Sequence, residues 1–164
     1  MTHSLPGGVT RSDLKLSDGR TISYYDNSAV NRSAEDKRKD EAQPGIGHLR
    51  LDPLLNEWVV VASHRQHRVF LPPKELCPLC ASSGEKLTEI PDNDYEVVVF
   101  GNRSPALTTP ADSWKLPAIS GIDTPNADAA GACEVVCYTS DHASSFAKLP
   151  VKQIRTVLEA WKDR

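Results

Sequence analysis

Three short apolar runs rich in β-branched residues limit what this chain can fold into. They are Glu57-Trp58-Val59-Val60-Val61-Ala62, Tyr95-Glu96-Val97-Val98-Val99-Phe100 and Cys133-Glu134-Val135-Val136-Cys137-Tyr138. Side chains of this kind suit a pleated surface, so each run is predicted to be a strand. Between the second and third lie Pro105, Pro110, Pro117 and Pro125, with Gly121 and Gly131. That stretch reads as a long loop, and long loops in compact domains are often functional. A helix is predicted from Pro150, with Val151, Ile154, Val157, Leu158 and Trp161 forming one apolar stripe. The stripe needs a partner and no cap or stop follows it before Arg164, so the fold is expected to continue beyond.

The core is expected to start near His48, with residues 1–47 forming an N-terminal extension and charged linker. Within that extension, Asp18-Gly19 separates Leu14 and Leu16 from Ile22 and Tyr24, which reads as a hairpin or as a plain exposed turn. Residues Asn31 to Glu41 mix both charges and are almost without apolar side chains, so they are expected to be a mobile linker, closed by Gln43-Pro44-Gly45.

The net charge is −3, which offers no basic surface for a nucleic acid. No apolar run approaches the ~20 residues of a membrane span. The N-terminus lacks a charged segment followed by an apolar one, so a cytoplasmic protein is expected. The four cysteines should then be reduced, and a close pair reads as a metal site rather than a disulfide.

Cys77-Pro78-Leu79-Cys80 is such a pair. Two thiolates separated by two residues can grip one tetrahedral zinc ion through a tight turn; the alternative is two small buried side chains. Cys133 and Cys137 are poor candidates to join them. Four residues apart on a strand, they would be ~13 Å from each other at ~3.3 Å per residue, so they read as core residues. His142, in the turn-like stretch after the third strand, suits a third ligand, or is a structural or exposed histidine. No fourth ligand is evident.

Two further stretches carry polar chemistry. His64-Arg65-Gln66-His67-Arg68 follows the first strand, and its arginines could hold a diphosphate or form a solvated turn. Gly101-Asn102-Arg103-Ser104-Pro105 follows the second, where Asn102 can donate to and accept from a nucleoside, or simply make a turn.

These segments, taken in order, resemble the galactose-1-phosphate uridylyltransferase family of the histidine-triad superfamily. The resemblance runs from Arg50-Leu51-Asp52-Pro53-Leu54 and Trp58-Val59 through the His64–Arg68 and Cys77–Cys80 stretches. It continues through Val99–Leu107 to Val135–His142, and it spans roughly residues 48–164. The region around Asp18-Gly19-Arg20 is similar to actinobacterial members. The resemblance implies an α+β fold, an antiparallel sheet with helices packed on one side, incomplete here at the C-terminus. It implies zinc as cofactor, held by Cys77, Cys80 and His142. It places Arg65 and Arg68 at the nucleotide phosphates and Asn102 and Arg103 at the uridine. The implied reaction is ping-pong: a histidine takes the uridylyl group from UDP-glucose, glucose 1-phosphate leaves, and galactose 1-phosphate accepts the group.

The chain departs from the family at Gly101 and Ser104, where acidic or polar and aromatic residues are usual. It also lacks the family's His-Pro-His segment, since no two of His3, His48, His64, His67 and His142 are separated by a single residue. The nucleophile and fourth ligand are therefore expected from a complementary C-terminal half, in a second polypeptide or a longer parent chain. Exposed apolar surface is expected to favour association, including homo-oligomers. Competing readings are a non-catalytic zinc- or nucleotide-binding remnant and a zinc-stabilised structural domain.

Overall fold

A computed structural model describes residues 1–39, 47–65, 72–108 and 125–164. In chain order the strands are β1 (Thr2–Ser4), β2 (Thr10–Lys15), β3 (Thr21–Asp26), β4 (His48–Asp52), β5 (Glu57–Val61), β6 (Val97–Gly101), β7 (Asn126–Asp128) and β8 (Glu134–Cys137), followed by helix α1 (Val151–Asp163). They are shared between two compact units. The larger comprises Met1–Ala42, Phe70–Phe100 and Val135–Arg164, and the smaller Gln43–Val69 and Gly101–Glu134.

The larger unit is built on a sheet of order β1-β2-β3-β6-β8. The β1–β2, β2–β3 and β3–β6 pairs are antiparallel, with Tyr24 opposite Val98 and Ile22 opposite Phe100. Side chains alternate between its faces, as the two-residue period of a strand requires. Tyr25, Val97 and Val99 pack with Val157 and Ala160 of α1, and Val136 joins them. Ile22, Tyr24, Val98 and Phe100 face the other way, onto Ile90 and Tyr95, with Val135 and Cys137 alongside. Both faces are covered, which explains why β6 reads as an unbroken apolar run rather than an alternating one.

Two expectations change here, and one alternative is decided. Residues 1–26 are not peripheral, because β3 lies in the middle of this sheet and Ile22, Tyr24 and Tyr25 are fully buried. The turn at Asp18-Gly19 does close a hairpin: Leu14 pairs with Ile22, and Gly19 adopts φ +85°, a conformation that glycine takes without a Cβ clash. Residues 31–39 are not a free linker either. Arg32 binds both Asp26 and Asp92, and Arg38 binds Asp36 and Glu89. Composition alone hid this, because the acids that neutralise the stretch come largely from elsewhere in the chain. Each of the two units collects separate pieces of chain.

The helix begins at Val151 with Pro150 as its N-cap, and among the described residues no helix is long and apolar enough to cross a membrane. It turns Thr156, Val157 and Ala160 inward, whereas Val151, Leu158 and Trp161 remain exposed. Trp161 stacks on Phe146, with ring centroids 6.0 Å apart.

The smaller unit carries the antiparallel sheet β5-β4-β7. Trp58, Val59 and Val60 of β5 are exposed, so successive side chains on both faces meet solvent. Gly47 passes so close to Ala106 that a Cβ there would lie 2.1 Å from its carbonyl oxygen. The expected strands at residues 57–62, 95–100 and 133–138 are found as β5, β6 and β8, each with slightly different ends. Together the antiparallel sheets and α1 make an α+β protein.

Candidate metal centre

Cys77 closes a short 3₁₀ turn, its N–H donating to the Lys74 carbonyl at 3.3 Å. Proline at position 78 helps the chain turn back at once, which returns Cys80 toward Cys77. Cys77 is buried and Cys80 half-buried. His142 arrives from the loop after β8. The Asp141 N–H donates to Thr139 Oγ1 at 3.2 Å and Asp141 Oδ1 accepts from the Ala143 N–H at 3.0 Å, so side-chain bonds shape the turn that presents it.

Cys80 Sγ lies 3.2 Å from His142 Nδ1, and the donor atoms of Cys77, Cys80 and His142 all fall within 4.8 Å of one another. Bonds of about 2.0–2.3 Å in a tetrahedron separate neighbouring donors by about 3.3–3.8 Å. Two sulfurs and an imidazole at this spacing fit three corners of a zinc site. They form the one such cluster of metal-ligating side chains among the described residues. Burial and the adjacent Cys77 thiol both push the Cys80 thiol above its ordinary pKa. A cation would reverse that preference by stabilising both thiolates.

Cys133 and Cys137 do not join the group. Cys137 packs beside the core on the face of Tyr95 and Phe100, and burial pushes its thiol up to about 12 despite a hydrogen bond with Tyr95. Cys133 lies just before β8, where its carbonyl accepts from the Asn102 N–H at 2.8 Å.

The polar candidates lie in the smaller unit. Arg65 ends a 3₁₀ turn and is half-buried, its N–H donating to Ala62 at 3.0 Å. His64 Nε2 is 3.1 Å from the Pro105 carbonyl, a contact that ties the Arg65 stretch to the stretch containing Asn102 and Arg103. Asn102 Oδ1 accepts from the Ser104 N–H at 2.9 Å, so Asn102 shapes the turn whatever else it binds. Arg103 is half-buried beside it. Arg68, with Gln66 and His67, lies outside the described residues, as do Pro110, Pro117 and Gly121 of the expected loop. Sequence reasoning missed Thr88 and Glu89, which pack on the cysteine turn, and Arg20 and Arg38, which bind Glu89.

Residues 35–164 match the family model of the galactose-1-phosphate uridyl transferase N-terminal domain. The chain belongs to this family. It is 38% identical over 157 residues to the galactose-1-phosphate uridylyltransferase of Streptomyces lividans, covering 95% of this chain and 38% of that one. The Thermotoga maritima uridylyltransferase is 38% identical over 118 residues, which cover 71% of this chain and 34% of the relative. The Rattus norvegicus uridylyltransferase is 32% identical over 130 residues, 70% of this chain and 33% of the relative. The chain thus spans between a third and two-fifths of the length of these uridylyltransferases. No solved structure matches it.

Proposed function

We propose that this chain is the N-terminal part of a UDP-glucose:hexose-1-phosphate uridylyltransferase of galactose metabolism, with a histidine-triad-like fold. The observation that carries the reading is the convergence of Cys77, Cys80 and His142 from separate stretches of a chain in this family. Those residues would hold zinc, and the ion would supply a fixed cross-link between the cysteine turn and the loop after β8. Arg65 and Arg68 would neutralise the phosphates of UDP-glucose and stabilise charge as it develops on the transferring group. Asn102 and Arg103 would hold the uridine. Gly101 and Ser104 shape the same stretch and bear on the fit of that pocket.

The covalent step needs a histidine nucleophile that none of the five histidines supplies in a His-Pro-His context. It would come from a complementary C-terminal portion, in a longer chain or a second polypeptide, and association, including with a second copy, would complete the site. The alternative reading is a non-catalytic zinc- and nucleotide-binding remnant, which the converging cysteines and histidine fit equally well.

The test is to assay release of glucose 1-phosphate from UDP-glucose and galactose 1-phosphate. The chain alone should show none. Mixed with the C-terminal portion of the Streptomyces lividans relative, it should turn over. Turnover by the chain alone contradicts the assignment of the nucleophile. UDP-glucose binding without turnover in the mixture favours the remnant.

A further inference from the structure

The segment after the cysteine turn folds back onto it. Thr88, Glu89 and Ile90 are all buried. The Glu89 N–H donates to the Pro78 carbonyl at 3.0 Å, and the Thr88 hydroxyl donates to the Cys80 carbonyl at 2.6 Å. Ile90 bridges to Ala81, and the Ser82 N–H donates to Ile90 at 2.9 Å. Thr88 to Ile90 therefore form one wall of the turn that carries both thiols.

That wall contains a carboxylate, and a buried carboxylate is costly unless it is paired. Arg20 Nη2 lies 2.5 Å from Glu89 Oε2, and Arg38 Nη1 lies 2.9 Å from Glu89 Oε1. Each arginine is itself oriented by a second acid, Asp18 for Arg20 and Asp36 for Arg38. One arginine comes from the β2–β3 turn and the other from the charged stretch, so distant parts of the chain converge on one acid beside the cysteines.

We propose that Glu89, clamped by Arg20 and Arg38, is a positioning residue for the metal site. It holds the backbone from Cys77 to Cys80 so that both sulfurs are aimed before an ion arrives. The inference rests on the zinc reading given above. Partners outside the ligand set commonly change metal affinity by about 10–100-fold, because a turn that is not pre-ordered must be ordered by the ion.

The test compares zinc affinity, by competition with a chromophoric chelator, in folded, metal-free full chains. Glu89→Gln keeps the shape but turns an amide N–H₂ toward an arginine. It should weaken zinc binding at least about tenfold. Arg38→Gln should do the same, and Arg38→Lys should recover most of the loss. Asp26→Asn breaks another buried cluster of this unit, in which Arg32 binds Asp26 and Asp92. It should lower the melting temperature yet leave zinc affinity within about twofold, since that cluster ties β3 to residues 92–94 instead of to the cysteine turn. Should Glu89→Gln fail to fold, Thr88→Val removes the bond to Cys80, together with longer contacts to Ser82 and Ile90, and should still weaken zinc several-fold. Affinity within about twofold of the unaltered chain in the variants that fold overturns the clamp, as does an equal loss in Asp26→Asn. Failure of the unaltered chain to take up zinc overturns the metal reading first, and the clamp with it.

Discussion

Asp36 sits in the middle of the charged stretch with its side chain only 2% exposed. Burial alone would raise its pKa, but hydrogen bonds from the Arg38 guanidinium and from the Ser17 and Arg38 N–H groups hold it far below the usual carboxylate range. A depressed folded pKa stabilises the fold above the unfolded value of about 3.9 and loses that contribution as pH falls below it. The melting temperature of the metal-free chain should therefore drop between about pH 4 and pH 2. Asp36→Asn should shallow that drop, and a curve of unchanged shape would show that the pair contributes little. At the cysteines the pKa shift runs in the opposite direction, yet the response to pH has the same sign. The Cys80 thiol lies above its ordinary pKa, so zinc must displace protons to bind. Zinc affinity should rise as pH increases from about 6 to 8, with proton release seen in a weakly buffered titration.

At the scale of elements, α1 separates what helical periodicity can reveal from what it cannot. The stripe from Val151 to Trp161 was legible, but the buried face is the one with Thr156, Val157 and Ala160. An apolar period identifies a helix; it does not say which of two adjoining apolar faces a sheet will cover. Val157→Ala should cost about 2 kcal/mol by the usual penalty for emptying a core site, and Leu158→Ala less than about 0.5 kcal/mol, both read from chemical denaturation. The β2–β3 hairpin was legible from Asp18-Gly19 for a local reason, the positive φ that Gly19 adopts. Gly19→Ala should cost about 1 kcal/mol in the same measurement. That this hairpin supplies the central strand of a sheet was not legible, because the partner of β3 is β6, about 75 residues away. The charged stretch failed for the same reason: Arg32 and Arg38 owe their burial to Asp92 and Glu89, which no local window contains.

For the whole molecule, the candidate metal centre was the most legible part of the site, since the spacing of Cys77 and Cys80 suits one ion and strand geometry set Cys133 and Cys137 aside. His142 needed the fold to bring it within 3.2 Å of Cys80. The phosphate roles of Arg65 and Arg68 and the uridine roles of Asn102 and Arg103 were named from family resemblance. The central claim is that one zinc ion is held by Cys77, Cys80 and His142 in this uridylyltransferase-family chain. X-ray absorption at the zinc edge of the loaded chain tests it most directly. The account predicts two sulfur neighbours at about 2.3 Å with nitrogen or oxygen completing the shell, and loss of one sulfur in Cys80→Ser. Four sulfur neighbours, which would draw in Cys133 and Cys137, or a shell without sulfur, would contradict it.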